Sequence, residues 1–466
     1  MKKTIYFAVG SQDLYGAETL KQVDKNGAEI ASFLNAQTGM PAAVKYYGTV
    51  KNSGQIFKLA QDVNYQNDCV GIIVWCHTFS PAKMWIRGLK ALQKPMLHLH
   101  TQYNEKLPYD TIDMDFMNLN QAAHGDREFG HICARLKLNN AVVAGYYKHG
   151  RVINEISAWA SAAIAYDFSN NLKVARFGDN MREVAVTEGD KVSAQIQFGW
   201  EVNTYGVGGL AEQIAKVTDK EADALVGEYK KLYAFKTDNL AAVKEQAKYE
   251  IAMKRIFIEK GIGAFTNTFE DLYGMKQLPG LATQRLMSQG IGFGAEGDWK
   301  TAALGAVMMR MSEGRKGATG FMEDYTYDLT EGNELVLGAH MLEVPLSFAA
   351  TKPSVEVHPL GIGGKEPPAR LVFDGVQGKG IAVSLVDMGG SFKLIVADIE
   401  LIKQPKPMPN LPVARVMWKI LPNHAEGASR WIKEGGAHHT VVSTALTACD
   451  MKTLADMWGV ECAVIG

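Results

Sequence analysis

Cysteine is scarce in this sequence. Only Cys69, Cys76, Cys133, Cys449 and Cys462 occur in 466 residues, and no CxxC is present. An odd, sparse set argues against a disulfide scaffold or a structural zinc site and favours a reducing compartment. An excess of one charge is also missing: 49 Lys and Arg stand against 50 Asp and Glu, a formal net charge of -1. So even a balance gives no footprint for nucleic acid or an anionic membrane, and suits a small, uncharged ligand. No apolar run reaches the roughly 18 residues of a membrane span. The N-terminal MKKTIYFAVGSQDLYG begins with basic residues, but its apolar stretch covers only residues 5–9. That is too short for the apolar region of a secretory signal, so it reads as a first buried strand. A cytoplasmic protein is expected.

What is present is the balance of a globular protein, with 47% hydrophobic and 21% charged residues. The length suits about three domains. In the first third, short β-rich runs at 4–9, 70–75, 96–100 and 141–144 are separated by helix-length segments such as 19–34. Apolar runs without strict alternation suit strands buried on both faces, and strands alternating with helices predict a parallel sheet. Ligands bind such sheets at the carboxyl ends of the strands. The loops Gly10-Ser11-Gln12 and His77-Thr78-Phe79 lie at that end. A second α/β unit is predicted from near Leu172, with its first strand at 173–177. It includes an amphipathic helix over 249–259 with Ile251, Ile256 and Ile258 on its apolar face, and a Gly-rich turn at 290–297 leading into a helix over 302–311. Beyond about residue 320 the pattern changes. Strand-like runs at 369–373, 380–386 and 392–399, joined by Gly-rich turns, predict an antiparallel sheet or barrel. A short helix at 451–457 precedes a last strand.

Two glycine patterns are decoys. Gly206-Val207-Gly208-Gly209-Leu210-Ala211 fits GxGxxA, but Asp223 and Glu228, near the required acidic offset, fall in an exposed helical stretch. Gly361-Ile362-Gly363-Gly364-Lys365 resembles part of a phosphate loop, yet Glu366 stands where Ser or Thr should hold magnesium. It reads as a turn. Cys76 beside His77 is no nucleophile pair, since neighbours on a strand point to opposite faces.

The carboxylates and histidines of the last 180 or so residues carry more information. Glu296 stands in GFGAEGDWKTAA, Glu323 in GFMEDYTYD, His340 in LVLGAHMLEV, and His438 and His439 in GGAHHT. Two glutamates with one or two histidines make an oxygen and nitrogen donor set suited to Mn²⁺ or a similar divalent ion. Structural alternatives stand beside this reading. Glu296 could cap the following helix, Glu323 could be an exposed loop acid, and His340 could be a satisfied core histidine.

These strings, with GSQDLYG, VWCHTFSPAKMW, TIDMDFMNLNQAAHG, RFGDNMREVAVTEGDK and FEDLYGMKQLPGLATQRLM, closely resemble the bacterial L-arabinose isomerase family over essentially the whole chain. The resemblance implies two Rossmann-like (flavodoxin-like) parallel-sheet domains, residues 1–170 and 171–318, followed by an antiparallel β-rich, barrel-like domain, 319–466. It implies an aldose–ketose isomerase converting L-arabinose to L-ribulose, and commonly D-galactose to D-tagatose, through an enediol. It implies one Mn²⁺ per subunit, replaceable by Co²⁺ or another divalent ion, on Glu296, Glu323, His340 and His439. Glu296 and Glu323 are also the catalytic pair, and His438 stands behind the ligands. Sugar contacts map onto Gln12, Leu14, Phe79, Met181 and Phe269. Gln121 and His124 map onto positions given to a neighbouring subunit's site, which implies a homo-oligomer, typically a hexamer. The family also usually carries a longer C-terminal tail than the ECAVIG ending here. A two-lobed sugar-binding protein is the rival class and needs neither ion nor acid pair. An isomerase of another sugar, such as L-fucose, is the rival enzyme.

Overall fold

A computed structural model describes residues 2–466. They divide into two compact units, one ending at Asp167 and one running Phe168–Gly466. In the first unit, β1 (Thr4–Gly10), β2 (Ala43–Val50), β3 (Cys69–Cys76), β4 (Met96–His100) and β5 (Ala141–Ala144) form one parallel sheet in the order β2-β1-β3-β4-β5. This is the flavodoxin-like order. β3, CVGIIVWC, is buried at every position, as a strand covered by helices on both faces must be. Four of the five strands are legible in the sequence. β2 is not, because an edge strand is only half buried and Gly48 interrupts it at φ 130°. The order reverses between β1 and β3, so the loops after them, bearing Gln12 and Phe79, lie at the switch point where such sheets bind ligands.

The second unit opens with β6 (Lys173–Phe177), β7 (Glu201–Tyr205), the two-residue β8 (Ala234–Phe235), β9 (Ile262–Asn267) and β10 (Gly292–Ala295). A parallel sheet runs β10-β9-β6-β7. Read from the β7 edge, this repeats the first sheet's order without its fifth strand. Its switch point lies between β6 and β9, and the loops that follow carry Met181 and Phe269. Two expectations need correction here. The helix Leu240–Lys260 buries Tyr249, Ala252, Met253, Ile256 and Phe257, whereas Ile258 is 74% exposed. The buried stripe follows the 3–4 spacing of 249, 252–253 and 256–257, which leaves 258 outward. The glycines at 290–297 are not all turn, since Gly292–Ala295 is strand β10. A Cβ on Gly292 would sit 2.1 Å from the Ala302 carbonyl oxygen, and one on Gly294 2.2 Å from that of Asp298. These two glycines let the helix Trp299–Met311 lie directly on the strand.

The remaining strands are β11 (Thr319–Asp328), β12 (Leu335–Ala339), β13 (Ser354–Val357), β14 (Ala369–Val372), β15 (Gly378–Asp387), β16 (Phe392–Ile402), β17 (Arg415–Ile420), β18 (His439–Ser443) and β19 (Glu461–Ile465). The cycle β15-β18-β11-β12-β17-β16 closes through β15–β16 pairing into a six-stranded antiparallel barrel. β19 joins β16 in parallel, and β13 pairs β8 in parallel, two departures from the antiparallel expectation. The strand predicted at 369–373 stands outside the barrel, in a small sheet of β14, β13 and β8.

Gly294→Ala is expected to destabilise the second unit by about 1–3 kcal/mol, because the obstructing atom is backbone and cannot swing away. A fall in the denaturant midpoint of the purified variant checks this, and an unchanged midpoint contradicts it.

Candidate active site

Three of the acids and histidines picked out from sequence come together on three adjacent barrel strands, where the start of β18 and the end of β12 meet the middle of β11. Glu323 of β11 lies opposite His439 of β18 on one side and opposite Ala339 of β12 on the other. His340 directly follows Ala339. Glu296 follows β10 in the left-handed conformation, φ 59°, and Gly297 behind it has φ 84°. A non-glycine residue in that region costs on the order of 1–3 kcal/mol and persists only where its surroundings hold it. Here the Met181 N–H donates to the Glu296 carbonyl at 2.9 Å, and the Gly297 N–H donates to that of Asn267 at 3.2 Å. The cap of the helix Trp299–Met311 is Asp298, which accepts from the Thr301 N–H. Glu296 is therefore free of the capping role. Glu323 is a strand residue, not a loop acid.

The side chains converge. His340 Nε2 lies 3.7 Å from Glu323 Oε2, and His439 Nε2 lies 3.8 Å from Glu296 Oε2. Donor atoms of Glu296, His340 and His439 all fall within 4.8 Å of one another, as do those of Glu323, His438 and His439. The Nδ1 atoms are engaged on the other side, His439 with Asp298 Oδ2 at 3.2 Å and His340 with Glu343 Oε2. A carboxylate on Nδ1 fixes the ring's orientation and leaves Nε2 to face the cluster. His439 is fully buried, and its Nε2 has no hydrogen-bond partner. An orphaned imidazole nitrogen beside two carboxylates is a donor set that suits a divalent ion. The Phe321 ring meets both histidines edge-on, at 5.3 Å from His340 and 5.5 Å from His439. Beside the cluster is a cavity of about 220 Å³, lined by Asn267, Phe269, Glu296, Glu323, Tyr325 and Met341 among others.

The electrostatics divide the two glutamates. Burial pushes Glu296 up, but His438, His439 and His340 outweigh it and hold the carboxyl below its ordinary value. Burial wins at Glu323, which is raised. Asp324 beside it is pushed up to about 7 by burial and then by the Glu323 charge. Burial would lower His340, yet the Glu343 carboxylate lifts it to about 9. Asp298 is buried too, and Lys300, His439 and Thr301 hold it well below the carboxylate range.

Phe269 lines the cavity, and Met181 adjoins it through its bond to the Glu296 backbone. The residues mapped in the first unit form a cluster of their own. Gln12 Nε2 donates to the Phe79 carbonyl at 3.2 Å, the Phe79 ring stacks on His124 at 4.7 Å, and Gln121 bonds His124 at 3.1 Å. Leu14, 80% exposed, stands at its edge. His438 reaches Glu296 Oε2 at 3.7 Å. Asp298 and Glu343 are the residues that the sequence reading misses. Their signal is short spacing to a neighbour: Asp298 two residues after Glu296, Glu343 three after His340.

The decoys resolve as turns and core. A strand does precede GxGxxA, but a Cβ on Gly206, Gly208 or Gly209 would meet nothing within 4 Å, so no close backbone approach demands them. Lys365 donates to the Leu272 and Met275 carbonyls. Burial and the neighbouring Asp126 raise the Cys76 thiol far above its ordinary value, and burial lowers His77 to about 4.

Family models cover nearly all of the chain: the L-arabinose isomerase N-terminal domain matches residues 1–171, the central domain 173–314 and the C-terminal domain 318–461. "L-arabinose isomerase 2" of Bacillus licheniformis is 53% identical over 470 aligned residues, covering 100% of this chain and 99% of that protein. "L-arabinose isomerase" of Geobacillus stearothermophilus is 52% identical over 466, covering 99% of this chain and 94% of that protein. "L-arabinose isomerase 2" of Clostridium acetobutylicum is 53% identical over 471, covering 100% and 96%. Identity at this level from end to end leaves one conclusion: the chain belongs to the L-arabinose isomerase family.

Proposed function

We propose that this protein is a metal-dependent aldose–ketose isomerase that converts L-arabinose to L-ribulose, and D-galactose to D-tagatose, through an enediol. The observation that carries the reading is the pair of histidines whose Nδ1 atoms are held by Glu343 and Asp298, so that both Nε2 atoms face Glu323 and Glu296 beside a cavity. Glu296, Glu323, His340 and His439 would hold Mn²⁺, or Co²⁺ or another divalent ion in its place. When bound, such an ion supplies positive charge for the oxygens of an open-chain aldose as the C2 proton is removed.

The protein's own groups do the rest. A sugar C–H is a very weak acid, so the proton must pass to a carboxylate already in place. Glu296 and Glu323 occupy unequal surroundings, one held down by histidines and one pushed up by burial. That difference suits one glutamate to accept the carbon proton while the other serves the oxygen side. Phe269, Met341 and Tyr325 line the cavity beside the two glutamates. Gln12, Leu14, Phe79, Met181 and Phe269 contact the sugar. Gln121 and His124 serve the site of a neighbouring copy in a homo-oligomer, a hexamer of two trimers. His124 is exposed, as a position that meets another copy must be before assembly. The near-zero charge fits a neutral sugar. No helix among the described residues is long and apolar enough to cross a membrane, which accords with work on a metabolite in the cytoplasm.

Three outcomes test the reading. L-Arabinose and Mn²⁺ with the purified protein should yield ketose, and thorough chelation should abolish the yield until Mn²⁺ is restored; full turnover after chelation would sink the metal dependence. Glu296→Gln and Glu323→Gln should each reduce kcat by at least about 10²–10⁴-fold, the typical worth of a positioned acid or base. In D₂O the product should carry deuterium on carbon, whereas a direct hydride shift between C2 and C1 would leave none.

A further inference from the structure

We propose that Lys300 and Arg370 are positioning residues for this centre: Lys300 pairs with the Asp298 carboxylate that meets His439 Nδ1, and Arg370 holds the backbone between His340 and Glu343, whose carboxylate meets His340 Nδ1. The proposal deepens the metal-site reading and rests on it.

The two arrangements are independent in sequence. On one side, His439 Nδ1 meets Asp298 Oδ2 at 3.2 Å, and Lys300 Nζ lies 3.6 Å from Asp298 Oδ1, with both side chains 1% exposed. The other Lys300 contacts are the backbone carbonyls of Thr187 at 3.0 Å and Glu188 at 2.5 Å. Asp298 is the one carboxylate within ion-pair distance of Lys300 among the described residues. On the other side, His340 Nδ1 meets Glu343 Oε2, which also accepts from the Leu342 N–H at 3.1 Å. Arg370 comes from β14, outside the barrel, and is 1% exposed. Its Nη1 donates to the Met341 carbonyl at 3.4 Å and its Nη2 to that of His358 at 2.7 Å, while Nε has no partner. No carboxylate lies within ion-pair distance of the Arg370 guanidinium among the described residues, so its grip is on backbone carbonyls.

A buried cation is costly unless an opposite charge answers it. Lys300 has Asp298 to answer it, and that carboxylate is engaged with His439. Pairing cancels the charge behind the His439 ring. Glu296 and Glu323, which line the cavity, are left to face an incoming ion. Arg370 acts through the backbone instead. By gripping Met341 it steadies the turn between His340 and Glu343, so carboxylate and ring stay in register. A group that only filled space there would need no charge.

The test is calorimetric titration of Mn²⁺ into the chelator-treated full chain, with circular dichroism and melting to establish folding. Arg370→Met and Lys300→Met should each weaken Mn²⁺ binding by about 10–100-fold, the usual effect of losing a group that orients a ligand. Arg370→Lys and Lys300→Arg, which keep the charge, should retain most of the affinity. In a Glu343→Gln background, Arg370→Met should cost little more, because the carboxylate through which it acts is gone. Three results overturn the proposal: unchanged affinity in a folded Met variant, the same fold-loss from Arg370→Met with or without Glu343, or a loss in Arg370→Lys as large as that of Glu343→Gln. The last comparison decides the matter even where the Met variants do not fold. Wild-type protein that binds no Mn²⁺ overturns the metal-site reading and this proposal with it. Wild-type binding with unaltered variants overturns this proposal alone.

Discussion

The register of β11 is the constraint on which the site depends. Glu323 faces outward between His439 of β18 and the end of β12, where His340 begins. Side chains alternate faces along a strand, so a slip of one residue would send Glu323 to the other face and bring Met322 or Asp324 in its place. Barrel closure removes that freedom. With β15 paired to both β18 and β16, every strand of the cycle has two neighbours, and no edge is left to shift against. Three polar groups can therefore be held together without loops of their own, over a core of Met322, Val336, Trp418 and Val442.

The fourth group arrives by a different route. Glu296 sits in a left-handed kink after β10, between a strand whose glycines admit the helix Trp299–Met311 and a glycine that passes close to Asn180. Those close contacts leave few conformations open, and the strained one points the carboxylate at His439. The same helix carries Asp298 as its cap, so one helix start both closes the kink and orients a histidine. Local backbone geometry and the site's electrostatics are thus one arrangement.

Two sheets with the same strand order place their switch-point loops where sheets of this kind bind ligands. In the first unit these loops bear Gln12 and Phe79, and in the second Met181 and Phe269. The topology dictates where a ligand can bind, and the loop side chains select which one. The cavity beside the acids is lined by Phe269, Leu278 and Phe293 together with Asn267 and the acids themselves. The two glutamates respond to their surroundings in opposite directions, Glu296 held down by histidines and Glu323 raised by burial.

Much of this was legible in the residues alone. The apolar runs of β1, β3, β4 and β6 announce buried parallel strands, because burial on both faces leaves no room for polar alternation. The long strings around GSQDLYG, AEGDWKTAALG and GGAHHT determine the family, and the four acids and histidines within such strings stand out by residue type. The half-buried edge strand β2 and the strand inside the Gly-rich stretch were not legible, since their residues answer to neighbours far along the chain. Nor could sequence separate a metal ligand from a helix cap at Glu296, or a loop acid from a barrel residue at Glu323. Only the tertiary structure decided that Asp298 caps while Glu296 faces His439, that Glu343 and Asp298 hold the rings, and that Arg370 from another sheet bonds the Met341 carbonyl between His340 and Glu343. The physical reason is that sequence determines which groups are available, whereas hydrogen bonds and buried charges depend on distances set by packing between strands that are remote in the chain.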